Sequence, residues 1–266
     1  MLVVDCDPQA NATAGLGIVL DPARKNIYDV FMSRAEGFPQ VPMSDIICST
    51  ESGIDLAPAT LDLVGAEPYL YGIASRAEVL KDALWPVKQR YDLILIDTPP
   101  SMGQFVINGL VAADHIIVTL DSGSFALNGV GPLLTIFGDI REDLGKDLRV
   151  DMAIISRWGE GGDMEGPVQE EEVKKDLVSW LRSLLSPPHK PSDEERKAQE
   201  ERAKERERLH GMLAEIEKKF ADVHTVPYSP EVYDAQKRGM PISHFAPGCS
   251  AGSAYKTIAD EVLQWT

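Results

Sequence analysis

The fold is decided by the stretch Tyr91-Asp92-Leu93-Ile94-Leu95-Ile96-Asp97-Thr98-Pro99-Pro100-Ser101. A nearly continuous apolar run leads into an aspartate, which is typical of a strand buried on both faces of a parallel sheet. Pro99 has no backbone N–H and keeps Thr98 out of helical geometry, so we predict that the strand ends near Asp97. Ligands of such sheets bind beyond the carboxyl ends of the strands, which puts Asp97 at the mouth of a predicted site.

Two interpretations of Asp97 are open at this point. A carboxylate in this position can hold a Mg²⁺ ion that is bound to a nucleotide. Buried strands also end in aspartates that only cap the following turn. The residues of this stretch do not by themselves separate a metal ligand from a capping residue.

Composition restricts the class of protein. The 266 residues are enough for one α/β domain with a full core. The formal net charge of −16 argues against the broad basic face of a non-specific nucleic-acid binder. A local basic patch is still compatible with this net charge. The three cysteines, Cys6, Cys48 and Cys249, have no C-x-x-C spacing, and the five histidines form no metal-ligand pair at helical spacing. We therefore expect a cytoplasmic protein without zinc site, disulfide framework, signal peptide or membrane span.

Strand patterns alternate with helical patterns along the chain. We predict strands at Leu2–Val4, Ile54–Ala59, 91–97, His115–Leu120, Val150–Ile155 and Val223–Pro227. Helices are predicted at Ile27–Phe31, Gln104–Ala113, Val130–Leu144 and Ala251–Gln264, and loops at Ala14–Gly17 and Tyr228–Gly248. The stretch 61–88 is also helical by its period but is broken by Pro68, Gly72 and Pro86. This alternation predicts an α/β fold with a doubly wound, mostly parallel sheet and helices on both faces.

Residues 158–222 differ in composition from the rest of the chain. Two helical stretches are separated by Ser186–Pro191, and Ser192 with Glu195 has the form of a capping box that opens the second helix. That helix is polar at first and then carries one apolar stripe of Leu209, Met212, Leu213, Ile216 and Phe220. We predict an α/β domain of residues 1–157 and 223–266 with an inserted, charged helical hairpin at 158–222. Because its charges nearly balance, a solvated surface helix is favoured over a nucleic-acid-binding arm.

Two acidic motifs follow predicted strands. The first is Asp5-x-Asp7-Pro8-Gln9-x-Asn11-x-Thr13, and the second is Asp97-Thr98-Pro99-Pro100-Ser101. Paired carboxylates at a strand end suit a metal ion and a water, while the alternative is that they only cap the turn before Pro8. Together the motifs resemble the ParA family of deviant Walker ATPases, which act in plasmid and chromosome partitioning and in positioning other cargo. The resemblance continues through 108–114, 125–130 and 226–255.

The resemblance implies a role for each matching residue. Asp7 is implied as the catalytic residue that orients the attacking water, and Asp5 would lie beside the Mg²⁺ and the γ-phosphate, with a part in catalysis and in metal binding. Asp97 would hold the Mg²⁺ of a bound ATP. The remaining implied nucleotide-site residues are Asn11 and Thr13 of switch I, Pro99 and Pro100 of switch II, and Pro227, Pro230 and Val232 beside the adenine.

The resemblance also implies a cellular role. It implies slow hydrolysis of Mg·ATP by a nucleotide-dependent homodimer, which a ParB-like or other adaptor protein stimulates. Non-specific DNA is a further implied partner, with Lys237, Arg238 and Lys256 as candidate contacts, and would associate the cytoplasmic protein with the nucleoid. The acidic end, Ile258–Thr266, is unlike the basic amphipathic helix of a membrane anchor, so no membrane partner is expected.

One family feature does not occur in this sequence. The family has a Gly-rich phosphate loop with two lysines, close to K-G-G-x-G-K-[ST]-[ST], upstream of its Asp-x-Asp motif, and the 266 residues contain no such sequence. The strand before that loop lies inside the sheet, so we expect a gap lined by apolar side chains and unpaired backbone. Either the natural protein carries the loop further upstream, which we favour, or it is a pseudo-ATPase scaffold that binds partners through 158–222.

Overall fold

The computed structural model describes residues 1–21, 23–101, 103–122, 130–159 and 193–265. Its strands are β1 (Leu2–Asp5), β2 (Cys48–Ser49), β3 (Asp55–Ala57), β4 (Ile94–Asp97), β5 (Ile117–Asp121), β6 (Met152–Trp158) and β7 (Val223–Pro227). Its α-helices are α1 (Asn11–Gly15), α2 (Ile27–Met32), α3 (Glu67–Leu70), α4 (Val79–Leu84), α5 (Gln104–Ala112), α6 (Val130–Leu144), α7 (Asp193–Glu217), α8 (Pro230–Lys237), α9 (Ile242–Phe245) and α10 (Ser250–Val262). Across those ranges, none of the helices combines the length and apolarity needed to cross a bilayer.

The strands form two mostly parallel sheets. The first has the order β2-β3-β1-β4, in which β1 is parallel to both β3 and β4, and only the short edge strand β2 is antiparallel. The second has the order β5-β6-β7 and is parallel throughout. Helices lie between successive strands, which confirms the predicted α/β fold class. Neighbouring parallel strands need long crossover connections, and α6 lies in the one between β5 and β6.

β4 and β5 follow one another in the chain but do not pair. Among the described residues, β4 pairs only with β1 and β5 pairs only with β6, so each of them has one open edge. Leu95 of β4 is 39% exposed, which is unusual for the middle of an apolar strand. Leu93, next to β4, packs in the same apolar cluster as Ile117 of β5, so the open edges belong to neighbouring parts of the molecule.

The second half of α7 is part of the core. Leu209, Ile216 and Phe220 are 3%, 0% and 6% exposed. Ile216 and Phe220 pack in one apolar cluster with Leu120 and Ile155 of the second sheet. The predicted apolar stripe is therefore buried on the sheet rather than solvated. Residues 160–192, which include the first helix of the predicted hairpin, lie outside the described part of the chain, so the boundaries at 158 and 222 stay a prediction.

Short helices were the main error of the sequence interpretation. The predicted loop 228–248 was wrong, since α8 and α9 lie within it, and α1 (Asn11–Gly15) extends into the first two residues of the predicted loop Ala14–Gly17. The helical stretch 61–88, predicted to be broken at Pro68, Gly72 and Pro86, consists of a 3₁₀ turn at Leu61–Gly65, then α3, α4 and a second 3₁₀ turn at Lys88–Arg90. Breaks do follow α3 and α4, near Gly72 and Pro86, whereas Pro68 lies in the first turn of α3. Helices this short do not complete an apolar stripe of period 3.6, so periodicity does not reveal them.

Asn108 ties α5 to the start of α4. Its side chain is fully buried; Oδ1 accepts a hydrogen bond from Leu80 N at 3.0 Å, and Nδ2 donates to Arg76 O at 2.7 Å and to Gln104 O at 2.9 Å. The side chain thereby satisfies a backbone N–H in the first turn of α4 that has no partner within that helix.

We expect Asn108→Ala to lower the free energy of unfolding by about 2 kcal/mol, because it leaves buried backbone groups unpaired. Urea unfolding followed by circular dichroism measures this loss. Asn11→Ala is the matched control at an exposed asparagine and should change stability by less than about 0.5 kcal/mol. Equal stabilities of the two variants would contradict the anchoring role.

Candidate functional site

Three carboxylates meet at one end of the first sheet. β1 and β4 pair in a register that sets Asp5 opposite Asp97 at their carboxyl ends, and Asp7 follows two residues later. A hydrogen bond from Cys6 N to Asp97 O, 2.8 Å long, continues the pairing beyond Asp5. No lysine or arginine of the described ranges forms an ion pair with any of the three. The structure thus brings together the residues that the two motifs predicted, as an acidic cluster that no basic side chain of the described part of the chain neutralises.

Asp5 holds the loop that follows it. Its side chain is fully buried; Oδ1 accepts from Asp7 N at 3.1 Å, while Oδ2 accepts from Thr13 N at 2.8 Å and Thr13 Oγ1 at 2.7 Å. The Thr13 hydroxyl in turn accepts from Ala59 N at 3.0 Å, just beyond β3. Burial raises the pKa of Asp5 although these hydrogen bonds favour its charged form. The geometry shows Asp5 as a positioning residue, and its metal-binding and catalytic roles stay predictions.

Asp7 keeps free hydrogen-bonding capacity. It is 9% exposed, and its Oδ1 accepts from Gln9 N at 2.9 Å. Its Oδ2 accepts no hydrogen bond from the residues that the structure describes. The chain then turns sharply, because Ala10 has φ of 54° in the left-handed region and α1 begins at Asn11. An acceptor oxygen at the edge of the cluster suits a residue that orients water.

Asp97 lies at the end of β4 with its carboxyl group accessible. The protein around it nevertheless desolvates the carboxyl group and, with the negative charges of Asp5 and Asp7, raises its pKa to about 6. A divalent cation would relieve this repulsion, and carboxylate oxygens are the ligands that Mg²⁺ prefers. The accessible Asp97 therefore fits a Mg²⁺ ligand better than the hydrogen-bonded Asp5 does.

A pH dependence follows from the raised pKa of Asp97. Above the ordinary pKa of 3.8, the unfolded state ionises more easily than the folded state, so the metal-free protein loses stability as pH rises to about 6. We expect Asp97→Asn to be more stable than wild type by about 1 kcal/mol near pH 7, after discounting for solvent exposure, and equal to it near pH 4. Urea unfolding in EDTA at both pH values measures the difference. A difference that does not vary with pH would contradict this origin.

The second half of the chain contributes the wall next to α1. α8 begins at the exposed Pro230, directly after β7, and contacts α1. Gly17 after α1 and Gly239 after α8 meet backbone to backbone, and both have positive φ, of 76° and 61°. A Cβ on Gly239 would overlap Gly17 Cα, so the site requires glycine here. Sequence reasoning missed this contact, because a glycine in a predicted loop is not by itself a packing signal.

The other predicted site residues take different positions. Pro99 is buried and Pro100 exposed just after β4, whereas Asn11 is exposed at the start of α1. Val232 is half-buried and packs in the apolar cluster around Val226, and Pro227 ends β7. None of these positions tests a contact with a nucleotide, so the assignments stay predictions.

Comparison with known proteins gives the family. Residues 1–150, more than half of the chain, match the family described as AAA domain. The chain is 38% identical over 176 residues to the sporulation initiation inhibitor protein Soj of Bacillus subtilis, covering 66% of this chain and 67% of Soj. The chain belongs to the ParA/MinD family. This confirms the resemblance carried by the two acidic motifs.

Two further relatives of this ParA/MinD-family chain bear on its site. The chromosome partitioning protein ParA of Myxococcus xanthus is 34% identical over 171 residues, which cover 64% of this chain and 58% of that protein. The cobyrinic acid a,c-diamide synthase of Mycobacterium smegmatis, solved with a bound ATP analogue and magnesium, is 34% identical with a TM-score of 0.54, covering 59% of this chain and 60% of that one. The chain thus spans about three-fifths of the length of these two proteins.

Proposed function

We propose that this ParA/MinD-family protein binds Mg·ATP at the carboxyl ends of β1 and β4 and hydrolyses it slowly. The observation that carries the proposal is the register that sets Asp5 opposite Asp97, with Asp7 beside them and no cation of the described residues to neutralise them. Such a cluster is suited to a divalent cation and the phosphates that the cation carries. The ATP analogue and magnesium bound to the similar synthase support this assignment.

The three carboxylates divide the work in this proposal. Asp97 holds the Mg²⁺, Asp7 orients the attacking water, and Asp5 fixes the position of Asp7 through its hydrogen bond to Asp7 N. Phosphoryl transfer depends on positioning and on charge stabilisation rather than on covalent chemistry. Holding the metal ion and orienting the water are therefore the roles that the acidic residues need to fill. The complementary positive charge belongs to a phosphate loop with lysines, as the family resemblance implies.

The open edges of β4 and β5 support a position for that loop. A strand added to the open edge of β4 would pair with it at the usual distance of about 4.8 Å between hydrogen-bonded strands. Its carboxyl end would lie beside Asp97, and backbone N–H groups of a following Gly-rich loop would face the phosphates. Exposed Leu95 would become buried. We propose that the phosphate loop reaches the acidic cluster by this route.

Equilibrium binding of a fluorescent ATP analogue, with and without Mg²⁺, tests the proposal. The 266-residue chain is compared with a chimera that carries, before Met1, a strand followed by a phosphate loop of the pattern K-G-G-x-G-K-[ST]-[ST] that the family resemblance implies. We expect the chimera to bind in the micromolar range and to lose at least about tenfold in affinity without Mg²⁺. A folded chimera that does not bind would contradict the ATPase proposal and favour a pseudo-ATPase scaffold.

We further propose that ATP binding drives formation of a homodimer that sorts plasmids, chromosomes or other cargo in the cytoplasm, with a ParB-like or other adaptor as stimulating partner. The relative named chromosome partitioning protein ParA supports this role. Slow hydrolysis then acts as a timer, since the nucleotide state sets the dimer. Non-specific DNA stays a proposed partner. Two of its candidate contacts already lie over aromatic rings of this chain: Lys237 Nζ is 4.3 Å from the ring centre of Tyr233, and Arg238 Cζ is 5.1 Å from the ring centre of Phe245.

A further inference from the structure

A second group of metal-ligand types lies at the amino-terminal end of β7. His224 of β7 has its Nε2 atom 3.0 Å from Asp222 Oδ1 and 3.1 Å from Glu261 Oε2 of α10. One ligand atom from each of the three side chains lies within 4.8 Å of the other two. The acidic cluster, by contrast, is formed at the carboxyl ends of β1 and β4. The group is therefore separate from the proposed nucleotide site.

The buried ring nitrogen Nε2 of His224 has no hydrogen-bond partner among the residues that the structure describes. Its Nε2 atom is inaccessible to solvent, yet neither neighbouring carboxylate oxygen lies in the direction of an N–H from that atom. A buried polar atom without a partner costs free energy, and two carboxylates beside it add repulsion to a ring nitrogen that presents a lone pair. A cation bound to all three side chains would satisfy the ring nitrogen and neutralise the repulsion.

We propose that Asp222, His224 and Glu261 bind one divalent transition-metal ion of the zinc type. Zn²⁺ is bound by histidine nitrogen and carboxylate oxygen at about 2.0–2.2 Å, which puts tetrahedral ligand atoms about 3.3 Å apart. The separations of 3.0 and 3.1 Å need only a slight expansion to reach that value. A ring nitrogen among the ligands disfavours Mg²⁺, which prefers oxygen, so the site does not compete with Asp97 for its ion.

The backbone around the three ligands is well fixed. The Asp222 carbonyl accepts a hydrogen bond from Ala153 N at 2.9 Å, and His224 pairs in register with Ile154 of β6. Glu261 lies between the buried Ile258 and Val262 on the helix that packs against β7. Ligands on a strand and a packed helix keep their geometry without the ion. Three protein ligands leave a fourth position for water, as in zinc sites that are open to solvent.

Zinc titration of the metal-free protein against a chromophoric chelator tests the proposal. We expect one Zn²⁺ per chain in the full 266-residue protein, and His224→Ala should weaken binding by at least about 100-fold, because it removes the nitrogen ligand. His115→Ala is the matched control at a more exposed histidine and should bind as wild type does. A Cys48→Ser, Cys249→Ser background removes adventitious zinc binding by the partly accessible thiols.

A second variant tests the site in case His224→Ala does not fold. Glu261→Gln changes one half-exposed helical side chain, retains its size, and should weaken Zn²⁺ binding by at least about tenfold while circular dichroism stays unchanged. Replacement of Zn²⁺ by Co²⁺ should give visible absorption bands that both variants lose. Absence of stoichiometric binding to the folded wild type, or undiminished binding by both variants, would show only a histidine–carboxylate ion pair and overturn the proposal.

Discussion

Replacing Asp7 with alanine, in the chimera that carries a phosphate loop, is expected to lower ATP hydrolysis at least about 100-fold while changing ATP affinity less than about threefold. The reason is that Asp7 has an acceptor oxygen without a hydrogen-bond partner among the described residues, whereas Asp5 uses both of its oxygens to hold the loop. It is therefore placed to act on water rather than to hold the nucleotide. Steady-state hydrolysis and binding of the fluorescent analogue measure the two effects separately.

The control for this prediction separates catalysis from turn capping. Asp7→Asn keeps an oxygen that can accept from Gln9 N but loses the negative charge. If Asp7 only caps the turn before Pro8, Asp7→Asn should hydrolyse ATP at a nearly normal rate. If Asp7 orients the water, both variants should be slow. Persistent hydrolysis by Asp7→Ala would remove Asp7 from the catalytic assignment altogether.

Gly239→Ala is expected to lower the free energy of unfolding by about 3 kcal/mol. About 1 kcal/mol comes from placing a side chain at a φ of 61°, and the remainder comes from the overlap of the new Cβ with the Gly17 backbone. Neither backbone can move aside as a flexible side chain would. Urea unfolding measures the loss, and in the chimera ATP affinity should fall as well, because α1 and α8 would be pushed apart.

Gly145→Ala is the control with the same backbone strain. Gly145 has a φ of 66°, and nothing lies within 4 Å of an added Cβ. We expect this variant to lose only about 1 kcal/mol. Equal losses of unfolding free energy in the two variants would mean that the Gly17 and Gly239 backbones can move apart with little loss of stability. The left-handed backbone geometry alone would then explain the requirement for glycine.

The sequence predicted the parts of the site that lie at strand ends. Asp97 stands between an apolar run and two prolines, and this local pattern gave both the end of β4 and the position of its carboxylate. The strand Val223–Pro227 and the helix Val130–Leu144 have the predicted bounds. Proline and apolar periodicity indicate such bounds because both depend only on residues that are close together in the sequence.

The parts that escaped prediction depend on contacts between distant segments. His224 and Glu261 belong to a strand and a helix whose approach no spacing rule gives, so a search for metal-ligand pairs at helical spacing could not find their proximity. The hydrogen bond from the Thr13 hydroxyl to Asp5 was not predicted either, since Thr13 is placed by a contact with Ala59 beyond another strand. The helix α8 was missed although Pro230 at its first turn and Gly239 after its end are common helix boundary residues.

The contact between Gly17 and Gly239 also bears on how displacements travel through the molecule. No side chain stands between the two backbones, so no change of rotamer can absorb a movement of one relative to the other. A shift of α8 by on the order of half an ångström must therefore move the segment after α1 or break the contact. That segment continues directly from Thr13, which is hydrogen-bonded to Asp5. The region beyond β7 and the loop that carries Asp7 are therefore coupled stiffly. The connection consists of the backbone from Gly239 to Gly17 and back to Thr13, whose hydrogen bond to Asp5 completes it.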